Sequence, residues 1–255
     1  MRILKMHFIF AMVLVMFPFI GNVASANLEE SLVAYYPFDW NANDESGNGN
    51  HGTVHGASWA TGIIGGALDF DGIDDYVIVS DDDTLDLSDG LTIAAWIQSY
   101  SNSWGRVIVS KWNDNSGDHS YHLKDTNNSD KLQIVLTEHN FNDLADLKSE
   151  SGIPLGDWIH IASTFDGSMT KLYFNGVEDA SQVSVGTIRA SVTDMLIGAV
   201  FTGGGIRENF DGLIDEVRIY NRALSEPELM TLVPEPTSFL LLGFGSFTLL
   251  KRRMK

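Results

Sequence analysis

Oxygen-bearing side chains are concentrated in one short stretch near the N-terminal end of the chain. Asp39, Asn41 and Asn43 stand at alternate positions, and Asp44 and Asn50 follow in a segment rich in Gly and Asn. A calcium ion takes roughly six to eight oxygen ligands, which a loop can supply from side chains and backbone carbonyls. The spacing is not that of an EF-hand, because Asp44 stands where that loop needs glycine and Asn50 where it needs glutamate. The stretch therefore predicts either a calcium loop or a set of Asx turns and caps.

A further acid lies inside an apolar strand near the other end of the chain, in the segment NFDGLIDEVRIYNRALS. Strict alternation places Leu213, Asp215 and Val217 on one side of this strand. An unpaired buried carboxylate is costly. We therefore expect Asp215 either to accept strong hydrogen bonds or to hold a cation.

A second acidic group comprises Asp69, Asp71, Asp74 and Asp75 in LDFDGIDDYV. Asp71-Gly72 is typical of a turn between two strands, with the following acids in solvent. A second cation at this turn is the less favoured alternative.

Aromatic residues next to planar polar side chains could bind sugars, because a pyranose ring offers both an apolar face and hydroxyl groups. Alternation places some of these side chains together on one face of neighbouring strands, and two tryptophans lie among Gly, Ser and Asn in loops. The candidates are Trp96, Gln98, His160 and Tyr173 on the strands, and Trp104 and Trp112 in the loops. The alternative is that the strand aromatics fill a second packing layer and that His160 is structural.

Catalytic patterns are weak in this sequence. A glycosidase needs two carboxyl groups facing the same bond, whereas Asp215 and Glu216 are adjacent and point to opposite faces of a strand. A lyase would need a Tyr, His and Gln constellation, for which only Tyr121, His122 and Gln133, with His119, offer themselves. We therefore expect a protein that binds and does not transform its ligand.

The charge of the chain is strongly acidic, with 16 basic and 34 acidic residues and a formal net charge of −18. Six of the 16 basic residues lie at the two ends, so residues 27–232 carry 10 basic and 33 acidic residues once Arg2, Lys5, Lys251, Arg252, Arg253, Lys255 and Glu235 are set aside. Such a surface repels nucleic acid and favours divalent cations or neutral partners. No cysteine is present, so no disulfide stabilises the fold.

Both ends of the chain carry targeting patterns. Basic residues, an apolar run from Phe8 to Ile20 and the small residues Ala24-Ser25-Ala26 predict a signal peptide over residues 1–26, removed by signal peptidase. At the other end, Pro234-Glu235-Pro236, an apolar run and the basic KRRMK tail resemble the PEP-CTERM sorting signal of Gram-negative bacteria, which implies an exosortase as processing enzyme. This signal would span residues 233–255; a plain membrane anchor is the alternative.

Between these ends, residues 27–232 have the length of one all-β domain. Short alternating runs recur between Gly, Asn and Asp clusters and predict strands at 31–38, 52–57, 66–71, 75–80, 91–99, 106–111, 119–124, 131–138, 158–166, 170–175, 194–199 and 210–220. Asn175-Gly176 predicts a tight hairpin turn. Ser225 with Glu228 predicts a capping box that opens a short helix over 227–232.

These segments resemble a known fold family. LVAYYPFDWNANDESGNGNHGTV, GGALDFDGIDDYVIV, LTIAAWIQ, WIHIASTFDG and GLIDEVRIYNRALSEPEL are similar to the concanavalin A-like jelly roll of the laminin G-like type. The resemblance implies a two-sheet antiparallel sandwich whose first and last strands are neighbours. On that arrangement Asp215 approaches the N-terminal loop, and a structural Ca²⁺ would be held by Asp39, Asp44, Asn50 and Asp215, with Asn41 or backbone oxygens completing the shell.

The predicted function is that of an exported, non-catalytic binding module that recognises exopolysaccharide or another glycan at the cell surface or in the extracellular matrix of a Gram-negative bacterium. A structural or adhesive surface protein that binds other proteins is the alternative, because aromatic and acidic surfaces serve both roles. A polysaccharide hydrolase or lyase is the least favoured interpretation.

Overall fold

Two antiparallel sheets make up almost all of the structure, a computed structural model that describes residues 28–101, 105–126, 130–139 and 142–233. Sheet A contains β1 (Leu32–Tyr36), β3 (Ser58–Thr61), β4 (Gly66–Asp71), β6 (Leu91–Ser99), β11 (Ile159–Phe165), β12 (Met169–Phe174), β13 (Val177–Val183) and β17 (Asp211–Tyr220). Sheet B contains β2 (Gly52–His55), β5 (Tyr76–Val79), β7 (Val107–Asn113), β8 (Asp118–Asp125), β9 (Lys131–Thr137), β10 (Asp143–Gly152), β14 (Met195–Ile197), β15 (Val200–Thr202) and β16 (Gly205–Arg207). The predicted all-β jelly-roll sandwich is confirmed.

The order of the strands places the first and last strands side by side. Sheet A runs β13-β12-β11-β6-β17-β4-β3, and β1 pairs with the second half of β17. Sheet B runs β10-β9-β8-β7-β14-β5-β2, with β15 and β16 attached beside β7. One apolar core fills the space between the sheets and draws on strands from both, including Phe70, Ile97, Tyr121 and Phe165.

Most predicted strands agree with the observed ones within a few residues, and 66–71 and 91–99 agree at both ends. The predicted Asn175-Gly176 turn joins β12 to β13 with positive φ at both residues (49° and 79°), as a type I′ hairpin requires. The strand ranges predicted from the sequence did not include β3, β10, β13, β15 and β16, although the Asn175-Gly176 turn implied that the chain folds back at β13. These strands are short or lie at sheet edges, where exposed polar residues weaken the alternation of apolar and polar positions.

The strict alternation predicted for the last strand is wrong beyond Asp215. A β-bulge shifts the register of β17 against β6 between Asp215 and Arg218, and Glu216 takes a positive φ of 55°. As a result Ile214 and Val217, which are an odd number of positions apart, both belong to the core between the sheets. Asp215 therefore lies outside the apolar row in which alternation placed it.

A short helix, α1 (Glu226–Thr231), covers the outer side of sheet A. The Glu228 carboxylate accepts hydrogen bonds from the Ser225 backbone N–H (2.8 Å) and hydroxyl (2.7 Å), so the predicted capping box is confirmed. Leu229 is fully buried against Ala94 and Ala162 of the sheet, together with Tyr173.

The targeting segments predicted at residues 1–26 and 233–255 lie outside the described residues, apart from Val233. Within the described ranges, no helix combines the length and the hydropathy needed to cross a membrane.

Candidate functional site

Asp44, a predicted calcium ligand, organises the N-terminal loop through its own hydrogen bonds. Its Oδ1 accepts from the backbone N–H groups of Tyr35 (2.9 Å) and Ser46 (2.8 Å). Its Oδ2 accepts from the Ser46 hydroxyl (2.8 Å) and from the Asn50 N–H (3.0 Å). Because both oxygens of this buried carboxylate are already used twice, Asp44 serves as a loop cap.

The two predicted asparagine ligands also take part in local hydrogen bonds. Asn50 donates from Nδ2 to the Val33 carbonyl (3.1 Å) and to the Thr84 hydroxyl (3.0 Å). Asn41 accepts from the Asn43 N–H (2.8 Å), which is an Asx turn. These contacts correspond to the alternative that the oxygen-rich stretch forms turns and caps.

Asp215 and Asp39, in contrast, meet the same hairpin between β3 and β4. Asp215 Oδ2 accepts from the backbone N–H groups of Ile63 (2.9 Å) and Ile64 (3.2 Å), and Asp39 Oδ1 accepts from Gly66 N–H (2.7 Å). Asp215 is 0% exposed, and its Oδ1 has no hydrogen-bond partner within the part of the chain that the structure describes. Burial raises the pKa of Asp215 to about 7.

These two carboxylates differ from Asp44 in that one buried oxygen, Asp215 Oδ1, has no partner among the described residues. A Cβ atom at Gly62 would lie 2.3 Å from Asp215 Oδ2 and 2.2 Å from the Gly66 carbonyl oxygen, so both oxygens face the same space. Phe38 and Trp40, on either side of Asp39, have positive φ values of 49° and 60°. Such strained non-glycine residues concentrate at functional sites. Of the predicted calcium ligands, Asp44, Asn50 and Asn41 make hydrogen bonds within or beside the N-terminal loop, whereas Asp39 and Asp215 contact the β3–β4 hairpin. The calcium ion itself stays a prediction.

The acidic turn after β4 is the one place among the described residues where three ligand atoms of acidic or histidine side chains lie within 4.8 Å of one another. They belong to Asp71, Asp74 and Asp75, of which only Asp75 is buried. Asp75 Oδ2 accepts from the Asp71 N–H (2.8 Å), and Asp71 Oδ1 accepts from the Ile73 N–H (2.8 Å). The hydrogen bonds agree with the predicted turn.

The strand aromatics predicted to bind sugar are not at the surface. Trp96, His160 and Tyr173 are 7%, 1% and 3% exposed, because α1 and the residues after it cover this face of sheet A. Trp96 packs edge-on against His160 with ring centroids 5.5 Å apart, and its Nε1 donates to the Leu232 carbonyl (3.4 Å). Burial lowers the pKa of His160 to about 3, so the imidazole is neutral. These three side chains therefore form a second packing layer, which was the alternative to sugar binding.

Two further predicted sugar ligands lie elsewhere. Gln98 is partly exposed and donates from Nε2 to the Gly156 carbonyl (2.5 Å). Trp104 lies outside the described residues.

Trp112 is the predicted sugar ligand that the structure places among other functional groups. Its ring stacks on His119 with centroids 4.0 Å apart at 6°, and lies 5.4 Å from the ring of His122. Its Nε1 donates to Asp114 Oδ1 (2.7 Å), which is also 3.0 Å from His119 Nε2. We call Trp112, Asp114, His119 and His122 the Trp112 cluster. Trp112 and His119 are partly exposed, and about half of the Asp114 side chain (48%) is exposed.

The Trp112 cluster lies on the outer face of sheet B. Tyr121 and Leu123 belong to the core, so the intervening His122 points away from it, and the ring contact places Trp112 on the same side. Burial lowers the pKa of His122 well below its usual value, which makes the ring neutral. His122 Nε2 and the Ser120 hydroxyl are buried without a hydrogen-bond partner among the described residues. A buried polar group without a partner calls for an ordered water, an ion or a functional role.

The hairpin β15–β16 borders this face on one side. Ser110, opposite His122 in the register, donates from its hydroxyl to the Ala199 carbonyl (2.7 Å), so the chain after β14 passes over the outer side of β7. After β16, Glu208 lies 3.4 Å from Lys124 Nζ, and this ion pair links the segment after the hairpin to β8. The outer face of sheet B is therefore a bounded surface with aromatic rings at one end and charged groups at the other.

Sequence reasoning named His119, His122 and Gln133 only as an unconvincing lyase constellation with Tyr121. The structure separates that set, because Tyr121 is fully buried in the core while His122 and Gln133 face outward. The contribution of Asp114 was missed, although its position two residues after Trp112, in a turn, was a usable signal.

Comparisons with known proteins relate the chain to a family. Residues 71–230 match the Laminin_G_3 family, described as the concanavalin A-like lectin/glucanases superfamily. Pappalysin-1 of Mus musculus is 31% identical over 77 residues, which cover 30% of this chain and 5% of pappalysin-1. The human protein (Homo sapiens) is 30% identical over 77 residues with the same coverage. The chain thus spans only about a twentieth of the length of these curated relatives.

Several solved structures share the fold. Domain 4 of AbnA, an extracellular GH43 arabinanase from Geobacillus stearothermophilus solved with arabinotriose, has a TM-score of 0.63 and 22% identity, covering 80% of this chain and 98% of that domain. The binding domain of Paraclostridial Mosquitocidal Protein 1 has a TM-score of 0.66 and 19% identity, covering 81% of this chain and 52% of that one. The ligand-binding domain of botulinum neurotoxin serotype D, solved with N-acetylneuraminic acid, has a TM-score of 0.63 and 20% identity, covering 82% and 52%. Because the family match covers more than half of the chain and the two-sheet sandwich agrees with it, the chain belongs to the Laminin_G_3 family of the concanavalin A-like lectin/glucanases superfamily.

Proposed function

We propose that this protein is a non-catalytic carbohydrate-binding module and that it binds its glycan on the outer face of sheet B, at the Trp112 cluster. The observation that carries the proposal is the partly exposed Trp112–His119 stack beside buried polar atoms of His122 and Ser120 that lack partners among the described residues. The glycan complexes formed by two proteins of the same fold, with arabinotriose and with N-acetylneuraminic acid, support this choice of ligand.

The chemistry of the Trp112 cluster suits a sugar. The apolar face of an aromatic ring can pack on the C–H face of a pyranose, and the half-exposed Asp114 carboxylate can accept hydrogen bonds from its hydroxyls. Gln133 and Asp146, hydrogen-bonded to each other farther along the same face, offer further polar contacts to a longer chain. No covalent step is assigned to any of these groups.

A glycan array tests this proposal. The purified protein should bind a defined class of glycans, and Trp112→Ala should lose at least tenfold in affinity, about 1.4 kcal/mol. Trp59→Ala is the matched control, because Trp59 is also a partly exposed tryptophan (36%) but lies on the edge strand β3 of the other sheet. A folded protein that binds no glycan on the array, or a loss of equal size in both variants, would refute the proposed site and favour a protein-binding surface protein.

A structural calcium ion is a second part of the proposal. Asp39 and Asp215 would hold it together with the Gly66 carbonyl, and the ion would join β17 to the β3–β4 hairpin. Support comes from the unpartnered Asp215 Oδ1 among the described residues.

Thermal unfolding in millimolar calcium and in EDTA checks this assignment. Calcium should raise the melting temperature of the unaltered protein but not that of Asp215→Asn. Asp44→Asn should respond like the unaltered protein, because Asp44 caps the N-terminal loop and is not one of the proposed ligands. Equal melting temperatures of the unaltered protein in the two buffers would contradict the calcium proposal.

Export is proposed on the sequence patterns at the two ends of the chain. Signal peptidase would cleave after Ala26, an exosortase would process residues 233–255, and the domain would reside at the cell surface or in the extracellular matrix of a Gram-negative bacterium. Intact-mass measurement of the protein recovered from the cell envelope and from the medium tests both cleavages, since an uncleaved N-terminus would contradict the first and an uncleaved C-terminus the second.

A further inference from the structure

We infer that the glycan bound at the Trp112 cluster carries protonated amines, as does an amino-sugar polymer that is at least partly de-N-acetylated. This inference rests on the proposed function and narrows it to a chemical class. It is carried by Asp114, a half-exposed carboxylate held at the edge of a stack of aromatic rings.

The groups around Asp114 match the requirements of an alkylammonium ion. Its Oδ1 accepts from the indole N–H of Trp112 at 2.7 Å and also lies 3.0 Å from His119 Nε2, and these contacts orient the carboxylate, about half of which is exposed. An ammonium ion is attracted to a carboxylate and to the π face of an electron-rich ring such as indole, whereas the ring edge is electropositive. A sugar amine can therefore pair with the half-exposed Asp114 carboxylate while the sugar ring packs on the exposed part of Trp112.

Two cations near the Trp112 cluster are matched by acids. Lys124 lies 3.4 Å from Glu208, and Arg189 lies 3.0 Å from Asp118. The half-exposed Asp114 carboxylate adds a negative charge at the aromatic end of the face.

A cavity of about 260 Å³ adjoins the cluster at the β7–β8 turn. Asn113, which directly precedes Asp114, lines it together with Asp118, Asp194 and Phe201. Seven residues line this cavity, and the two charged ones, Asp118 and Asp194, are both acidic, although Asp118 is paired with Arg189.

The charge of the whole chain acts in the same direction. At −18, the protein repels uronate and sulfate polymers over distances of about one Debye length, roughly 8 Å at physiological ionic strength. A polycationic glycan is instead attracted, and its affinity should fall as salt is added.

Calorimetric titration of the full protein with three hexasaccharides tests the inference. The probes are glucosamine hexamer, its fully N-acetylated counterpart and galacturonate hexamer, at pH 6 and low salt. Glucosamine hexamer should bind, the N-acetylated hexamer should bind at least tenfold more weakly, and galacturonate should not bind. Asp114→Asn should weaken glucosamine binding at least tenfold, with an unchanged melting temperature.

The matched control separates a specific site from general attraction between a polycation and an acidic protein. Asp157→Asn removes one exposed acid in the loop before β11, outside the Trp112 cluster, and should leave the affinity unchanged. Equal losses in Asp114→Asn and Asp157→Asn would overturn the inference. Equal or tighter binding of the N-acetylated or galacturonate hexamer, lost in Trp112→Ala, would overturn the amine preference and leave the proposed function standing. Absence of binding to all three hexamers and to the glycan array would refute both.

Discussion

The buried carboxyl group of Asp125, at the end of β8, makes a specific prediction about pH and stability. Asp125 is 4% exposed and accepts a hydrogen bond from the Arg106 backbone N–H. Burial raises its pKa to about 7, and the hydrogen bond and the charges of Arg106 and Lys124 offset only part of that effect. Replacement by Asn keeps the shape and the acceptor for Arg106 but removes the titration.

The direction and size of the effect follow from the two pKa values. Because the folded-state pKa is above the ordinary value of 3.8, the stability that this group contributes is fully present below about pH 4 and is lost as the pH rises through 7. A difference of about three units at 1.36 kcal/mol each sets an upper limit of about 4 kcal/mol. We expect Asp125→Asn to be more stable than the unaltered protein by only about 1 kcal/mol at pH 4.5 and by about 2 to 4 kcal/mol at pH 8.5.

Urea denaturation of both proteins between pH 4.5 and pH 8.5 measures this difference. Asp215, whose pKa is also raised to about 7, is present in both proteins, so its contribution cancels in the comparison. An Asp125→Asn variant that is no more stable than the unaltered protein at pH 8.5 would refute the reasoning.

Three further predictions, made with four substitutions, concern the packing of the sandwich. Lys111→Ala should lower the free energy of unfolding by about 3 to 5 kcal/mol in urea denaturation, because the fully buried Lys111 ammonium contacts two carboxylates and two backbone carbonyls that would lose their partner. A decrease of less than about 1 kcal/mol would contradict this prediction. Leu229→Ala should lower the free energy of unfolding by about 2 to 4 kcal/mol and shift the fluorescence of Trp96 to longer wavelength, because α1 would pack less tightly on sheet A. An unchanged emission spectrum would show that the helix does not cover this face. Gly212→Ala should prevent folding, because the new Cβ atom would lie 2.1 Å from a backbone oxygen of β6. Gly204→Ala, which has open space around it, should lower the free energy of unfolding by only about 1 kcal/mol. Similar thermal melts of the two variants by circular dichroism would contradict this prediction.

Local patterns predicted the regular parts of this fold well. The strand β6 and the Asn175-Gly176 turn depend on alternation and on a positive φ, and both properties are written in neighbouring residues. The capping box of α1 is likewise a contact between residues three apart, Ser225 and Glu228. Elements of this kind can be identified without knowing where the rest of the chain lies.

The candidate sites were predictable only in part, because their members come together across the sheets. Strand alternation grouped Trp96, His160 and Tyr173 correctly on one face, but only the packing of α1 decided that this face is covered. The β-bulge at Glu216 moved Asp215 out of the apolar row and toward the β3–β4 hairpin, which no spacing rule foretells.

Local patterns and composition are thus enough to predict an acidic all-β sandwich, since alternation, turn residues and charge are local or additive properties. Which oxygens and which aromatic rings remain available to a ligand depends on how the two sheets pack. The tertiary structure satisfied Asp44 within its own loop, left Asp215 Oδ1 without a partner among the described residues, and placed Trp112 beside Asp114 on an open face. The physical reason is that burial and hydrogen-bond satisfaction depend on residues far apart in the chain, which meet only when the sheets have packed.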